Sequence, residues 1–239
     1  YCDFNSYAVE NVTEIENNYA KALIAELNYY AEQQDWSNRA CATIYFGGGT
    51  PSLFSPETYS LILESTRSCF SLNENCEITI EANPFTVSAQ TEHSKLALLK
   101  ELGINRISFG AQSFSPKKLS FLGRLHKPQD IIDSYNNARL AGFDNVSLDL
   151  IFGTRDESID QWKYDLESAI ALNPEHISAY SLTIEPNSAF FELIKNGKSV
   201  CAEEETVAQM YALSVDLIES KGFYQYELSN YAKPRRACA

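Results

Sequence analysis

Short runs rich in β-branched and aromatic residues alternate along this chain with segments in which apolar side chains recur every three or four positions. The short runs predict strands, and the periodic segments predict helices. The predicted strands are Ala42–Phe46, Cys76–Glu81, Arg106–Gly110, Val146–Ile151, His176–Ile184 and Tyr224–Leu228. The predicted helices span residues 14–34, 57–69, 95–102, 128–141, 159–172 and 203–220.

A glycine and a short polar step separate helix from strand at three places. Gly103, Gly142 and Gly222 stand where predicted helices end, at a position that favours glycine because its backbone is left-handed. A helix that crosses back over a sheet places the next strand parallel to the last one. The pattern therefore predicts an α/β fold of about six parallel strands, arranged as a (β/α) barrel, a partial barrel or an open doubly wound sheet.

The first predicted strand runs directly into the sequence Gly47-Gly48-Gly49-Thr50-Pro51-Ser52. Its β-branched and aromatic residues indicate a buried strand, and we expect Tyr45 and Phe46 to lie in the core. Consecutive glycines let a bound group approach the backbone N–H groups closely. A tight turn without a ligand is the alternative, although a plain turn seldom needs three glycines in a row.

Polar residues occur at the ends of successive predicted strands. Glu81 ends the second strand, Gln112 follows the third, Asp149 lies in the fourth and Thr183 in the fifth. Any one of them alone is more often a structural polar group than a functional one. Because the carboxyl ends of parallel strands meet at one mouth, the repeated pattern predicts a single ligand cavity. Asp149 in particular needs a partner if it is buried.

Composition narrows the classes of partner. A net charge of −13 argues against non-specific binding to nucleic acid or to an anionic membrane surface. The one basic cluster comprises Lys117, Lys118, Arg124, His126 and Lys127, and we expect it to be a solvated face or a local anion contact. No apolar run is long enough to span a bilayer, which leaves only peripheral membrane contact open.

The six cysteines and three histidines show no zinc-ligand spacing, and no secretory signal is visible. We therefore expect reduced thiols and a cytoplasmic location. The chain lacks a Walker A sequence and a G-x-S-x-G elbow. Its glycine run also departs from the G-x-G-x-x-G dinucleotide pattern.

Taken together, these segments resemble the radical S-adenosylmethionine (SAM) proteins of the oxygen-independent coproporphyrinogen III oxidase group, and among them the HemW-type haem chaperones. The matching motifs are YCDFNSY at 1–7, GGGTPS at 47–52, ITIEANP at 78–84, RISFGAQSF at 106–114, LGRLH at 122–126, LDLIFG at 148–153, YSLTIEPN at 180–187 and YELSNYAKP at 226–234. The resemblance implies a partial (β/α) barrel, a 4Fe–4S cluster, SAM and haem.

In that family three cysteines of a CxxxCxxC loop hold the cluster, and SAM chelates the remaining iron. Cys2 matches the third of these ligands, and Tyr1 matches an aromatic residue that packs near adenine. The first two cysteines would precede residue 1, so we do not expect this chain alone to assemble the normal cluster. Cys41 leads into a strand and is no replacement.

The resemblance also assigns positions around SAM. It places Gly48, Gly49 and Thr50 at the methionine end of SAM and Glu81 against the same molecule. Positions that line a second SAM or the substrate are matched by Gln112, Arg124, Asp149 and Thr183. Backbone N–H groups and carboxylates suit a zwitterionic amino-acid end and ribose hydroxyls.

Phe4 separates the two subfamilies. The oxidases carry a further cysteine two positions after the third ligand, where this chain has Phe4. Phe4 thus favours a haem chaperone, with haem-acceptor proteins as partners, over an enzyme of the oxidase type. By this resemblance residues 1–234 form a radical SAM core without its first strand and the start of its cluster loop. Residues 235–239 would then begin a further C-terminal region.

Three functional hypotheses follow. The first is a haem chaperone, and the second is an oxidase that converts propionate groups to vinyl groups by radical decarboxylation. The third is a barrel domain that binds a small molecule without radical chemistry. No catalytic residue is assigned under any of them.

Overall fold

A computed structural model describes residues 11–33, 39–87, 92–186 and 188–238, and within them it contains one seven-stranded sheet. The strands are β1 (Ala40–Phe46), β2 (Ser71–Ala82), β3 (Arg106–Gln112), β4 (Val146–Phe152), β5 (His176–Ser181), β6 (Tyr224–Glu227) and β7 (Asn230–Ala232). Their order in the sheet is β1-β2-β3-β4-β5-β7-β6. The sheet curls into a half-barrel, which confirms the predicted partial (β/α) barrel.

The helices are α1 (Val12–Ala31), α2 (Pro56–Cys69), α3 (Glu92–Glu101), α4 (Pro116–Phe121), α5 (Pro128–Leu140), α6 (Ile159–Ala171), α7 (Ala189–Lys195) and α8 (Glu204–Glu219). All six predicted helices are present. The apolar periodicity did not indicate α4 and α7, because a helix of six or seven residues is too short to show it.

The first five strands are parallel, as predicted, and β6, the last predicted strand, runs in the same direction. The strand that runs the other way is β7, which was not predicted and which lies between β5 and β6. Strand β7 pairs antiparallel with both β5 and β6. The tight turn between Glu227 and Asn230 leaves no room for a crossover helix, so β6 and β7 form a hairpin that closes one edge of the sheet.

Strand β1 was predicted to be buried, and it is not. Four of its seven residues are exposed, and its only ladder in the described part of the chain is to β2. An edge strand covered on one side buries few side chains whatever its β-propensity.

Strands β2 to β5 have one apolar face and one polar face. Residues such as Ile80, Phe109 and Leu148 point towards the helices and are fully buried in the main core. The alternate positions carry polar side chains and include Glu81, Ser108, Asp149, Ser147 and His176. Because successive side chains on a strand point to opposite faces, these residues line the other face of the half-barrel.

Two further observations concern the described residues. None of their helices combines the length and the apolar character needed to cross a membrane. The five cysteines among them are all free thiols.

Candidate cofactor site

The glycine turn after β1 is held by Glu81 at the end of β2. Gly48 and Gly49 have φ angles of +75° and +51°, which explains why glycine stands at both positions. The N–H of Gly48 donates to Glu81 Oε2 at 3.2 Å, and the hydroxyl of Tyr45 donates to Glu81 Oε1 at 2.8 Å. The predicted pairing of a glycine cradle with a carboxylate is therefore present.

The far side of the turn is anchored by Ser52, which is buried. Its hydroxyl hydrogen-bonds Thr86 Oγ1 at 2.6 Å and accepts from the N–H of Asn83 at 3.2 Å. Its carbonyl accepts from Lys95 Nζ at 2.6 Å. Thr50 lies between the glycines and this anchor and is partly buried. The turn is thus fixed at both ends while Gly48 and Gly49 stay exposed.

Tyr45 is not a core residue. It is 53% exposed, and its ring would lie only 2.7 Å from a Cβ built at Gly47. Partial burial and the bond to Glu81 raise the pKa of the Tyr45 phenol. The sequence analysis missed this residue, although alternation along Thr43, Tyr45 and Gly47 puts it on the same face as the polar residues.

Gln112 and Arg124 meet over Gly110. A Cβ at Gly110 would approach Gln112 Nε2 to 2.8 Å and Arg124 Nη2 to 3.0 Å. Gln112 is buried and has a φ of +63°, and the β3–β4 register shifts between Phe109 and Gln112. The structure therefore brings these two predicted residues together, and it needs a residue without a side chain beneath them.

Asp149 lies on the polar face of β4 and is only partly exposed. Ser108 Oγ approaches its two carboxylate oxygens at 3.1 and 3.0 Å. Burial raises the pKa of the Asp149 carboxyl, and hydrogen bonding from Ser178 together with the charge of Arg106 opposes that rise. The expectation that Asp149 has a partner is confirmed.

A hydrogen-bonded column continues from Asp149 along the polar face. Ser147 Oγ lies 3.5 Å from Asp149 Oδ1 and 2.8 Å from His176 Nδ1. His176 Nε2 lies 2.8 Å from the hydroxyl of Tyr226. Burial and the nearby charge of Arg106 lower the pKa of His176 to about 3, so its imidazole is neutral.

Arg106 is a buried cation on this face. It is 3% exposed, and its Nη1 lies 3.5 Å from Thr79 Oγ1. The sequence analysis used Arg106 only as the start of a strand and missed its charge. A charged residue inside a predicted strand is itself a signal, because an interior cation needs anions such as Asp149 near it.

Three predicted positions are not among the contacts described above, and only Thr183 is a described residue. Thr183 is exposed, and its hydroxyl donates to Ser181 O at 3.4 Å; no hydrogen bond within the described residues joins it to the other candidates. Tyr1 and Cys2 lie outside the described residues, so their assigned roles stay predictions.

The basic cluster is only partly the predicted solvated face, and its Lys118 makes an anion contact, which was the alternative. Lys118 is 7% exposed and His126 is 2% exposed, whereas Lys127 is exposed. Lys118 is paired with two buried carboxylates, and His126 Nε2 lies 3.0 Å from Ala111 O.

Comparison with known proteins decides the family. A sequence model described as the radical SAM superfamily matches residues 1–169. This chain belongs to the radical SAM superfamily. It is 37% identical over 237 residues to the haem chaperone HemW of Bacillus subtilis and 38% identical over 239 residues to that of Escherichia coli. These alignments cover 98% and 100% of the chain but 60% of each relative.

The fold of this radical SAM chain agrees with that assignment. The solved structure of the radical SAM enzyme coproporphyrinogen III oxidase (HemN) from Escherichia coli superposes with a TM-score of 0.83 at 23% identity. The superposition covers 99% of this chain and 52% of that one. It establishes the shared half-barrel.

Membership of the superfamily implies a 4Fe–4S cluster and SAM. The fit to SAM rests on the exposed Gly48 and Gly49 backbone, the Glu81 carboxylate and the space above Gly110, since these suit an amino-acid end and a ribose. The cluster is different: the described residues contain no group of three His, Cys, Asp or Glu side chains able to hold a metal. The described residues therefore do not supply the ligands of the cluster.

Proposed function

We propose that this chain is the radical SAM part of a haem chaperone of the HemW type. Such a protein would bind a 4Fe–4S cluster, SAM and haem and would deliver haem to acceptor proteins. The observation that carries the proposal is the 37–38% identity to two HemW proteins along nearly the whole chain. Phe4, which stands where the oxidases carry a further cysteine, supports the same subfamily.

Within this proposal the residues divide into two groups. Gly48, Gly49 and Thr50 would hold the methionine end of SAM, with Glu81 against the same molecule. The second group, which would line a second SAM or the substrate, comprises Gln112, Arg124, Asp149 and Thr183. The hydrogen bond from Gly48 in the turn to Glu81 supports the first group, and the proximity of Gln112 and Arg124 above Gly110 supports the second.

The metal role falls to Cys2 as one thiolate ligand of the cluster, with Tyr1 beside the adenine. A bound cluster would supply an electron to SAM. We also infer a cytoplasmic location, which the free thiols support because reducing compartments keep cysteines unpaired.

The second candidate is an oxygen-independent coproporphyrinogen III oxidase, favoured by the structural likeness to HemN. An anaerobic assay of the whole protein separates the two functions. The whole protein, with its cluster reconstituted, is offered haem with a haem-free acceptor and, separately, coproporphyrinogen III. Haem transfer without a vinyl product supports the chaperone, whereas formation of protoporphyrinogen IX would overturn it in favour of the oxidase.

The ligand site has its own test. We expect Asp149→Ala to retain the cluster, seen by its visible absorption, but to lose SAM or haem binding. The matched control is Asp216→Ala, because Asp216 is exposed on α8 and far from the polar face. Unchanged SAM and haem affinities in the Asp149 variant would refute this role.

A further inference from the structure

Gln112 departs from the strand that carries it. Its φ of +63° is left-handed, and its side chain is 7% exposed. A non-glycine residue in this conformation is destabilised and persists only where its surroundings impose it. Ser113 N–H donates to Ala111 O at 2.8 Å, so the chain makes a tight bend at this residue.

Asp165 on α6 accepts hydrogen bonds from the two residues that follow Gln112. Its Oδ2 accepts from Ser113 Oγ at 2.7 Å, and its Oδ1 accepts from the N–H of Phe114 at 2.6 Å. Asp165 lies 52 residues beyond Ser113 in the chain, and its side chain is 1% exposed. A bidentate carboxylate on a rigid helix fixes both the position and the direction of the turn after β3.

Lys118 on α4 balances the buried charge of Asp165 and extends this network of polar contacts. Its Nζ lies 3.0 Å from Asp165 Oδ2 and also pairs with Glu157. Glu157 in turn accepts from the N–H and the hydroxyl of Thr154, each at 2.9 Å. Thr154 lies just beyond the end of β4, the strand of Asp149. One lysine thus ties the turn after β3 to the turn after β4.

Stability alone gives little reason for this arrangement. Replacing a buried ion pair by packed apolar residues is often neutral or stabilising, since desolvation offsets the attraction between the charges. What the charges provide is geometry, because hydrogen bonds fix direction in a way that apolar packing does not.

We propose that Asp165 is a positioning residue for the ligand site: it holds Gln112 in its left-handed conformation, and through Lys118 and Glu157 it sets Gln112 relative to Asp149. This inference rests on the proposed function, in which Gln112 and Asp149 line one cavity.

The test is a double-mutant cycle in the whole protein with its cluster reconstituted. The variants are Gln112→Ala, Asp165→Asn and the two combined, with Asp160→Asn on the exposed side of α6 as the matched control. SAM and haem dissociation constants are measured separately, together with the melting temperature. Gln112→Ala identifies which constant Gln112 controls, and Asp165→Asn should weaken that same constant by about tenfold.

The coupling distinguishes positioning from a structural role. In the Gln112→Ala background, Asp165→Asn should weaken binding no further, whereas its effect on melting should persist. Equal effects on binding in both backgrounds would overturn the proposal, as would no effect of Gln112→Ala on either constant. If the wild type binds neither SAM nor haem, the proposed function fails instead.

Ser113→Ala serves if Asp165→Asn does not fold. It removes one of the two hydrogen bonds that this turn donates to Asp165, together with the bond that Ser113 Oγ accepts from the N–H of Ser115, and it keeps the buried ion pairs. We expect a smaller loss of affinity, again absent in the Gln112→Ala background. Hydrogen exchange of the Phe114 amide should accelerate. An unchanged exchange rate together with an unchanged affinity would contradict the proposed positioning role of Asp165.

Discussion

The hydroxyl of Tyr45 donates a 2.8 Å hydrogen bond to the same carboxylate, Glu81, that accepts the N–H of Gly48. Both oxygens of Glu81 are therefore oriented before any ligand arrives. Since orientation in advance reduces the entropy lost on binding, we expect Tyr45 to raise the affinity of the proposed site for SAM without touching the ligand.

We expect Tyr45→Phe to weaken SAM binding by about threefold to tenfold, because one oxygen of Glu81 is released. The melting temperature should hardly change, since the phenol is half-exposed. Isothermal titration of the reconstituted protein measures the first quantity and calorimetry the second. Tyr164→Phe on the exposed face of α6 is the control, and equal affinity in the two variants would contradict the role of Tyr45.

Gly110→Ala should separate binding from stability. The added methyl would meet only the ends of the flexible Gln112 and Arg124 side chains, so these move while the backbone stays. We expect ligand affinity to fall by about tenfold, with little loss of unfolding free energy.

Gly222→Ala provides the opposite pattern. Gly222 has a φ of +87° with open space around it, so the variant strains only the backbone. Its unfolding free energy should fall by about 1 kcal/mol while binding is unchanged. The prediction for Gly110→Ala would be refuted if that variant lost as much stability as Gly222→Ala and kept its ligand affinity.

His176 should stay neutral at pH values well below those at which a histidine usually takes up a proton, because its pKa is lowered to about 3. The unfolded chain takes up this proton near pH 6.5, so it binds more protons than the folded chain between pH 6.5 and 3. As the pH is lowered through that window, the contribution of this residue to the unfolding free energy should fall by up to about 1.4 kcal/mol per pH unit. Denaturant titrations of the wild type and His176→Gln at pH 7 and 5 test it: the variant should show the flatter dependence. A His176 imidazole that titrates near pH 6 by NMR would contradict the burial argument.

Trp162 joins α6 to α8. Its Nε1–H donates to Met210 O at 3.1 Å and to Ser214 Oγ at 2.9 Å, and its ring lies 5.1 Å from Lys118 Nζ. We expect Trp162→Phe to cost about 1–3 kcal/mol of unfolding free energy, because buried acceptors lose a donor. Chemical denaturation measures this, and Ser214→Ala should cost less. A Trp162→Phe variant as stable as the wild type would show that this bond contributes nothing.

The order of helices and strands could be predicted from the chain because apolar periodicity is a local property. The polar face was also within reach. In Val146–Phe152, Ser147 and Asp149 alternate with valine and leucine, which indicates one polar face and one apolar face. The antiparallel strand β7 between β5 and β6 was not predictable from periodicity, since a strand of three residues is too short to show alternation.

The sequence by itself determined which chemistry is present: a glycine run after one strand, carboxylates on the strands that follow, and the motifs of the radical SAM superfamily. Only the tertiary structure decided that Asp165 accepts hydrogen bonds from the turn beyond Gln112, that Lys118 is buried and that Tyr45 faces Glu81. The physical reason is that a charged residue on an amphipathic helix has the same local pattern whether it meets water or a partner 52 residues away. Long-range packing chooses between the two, and no local spacing records that choice.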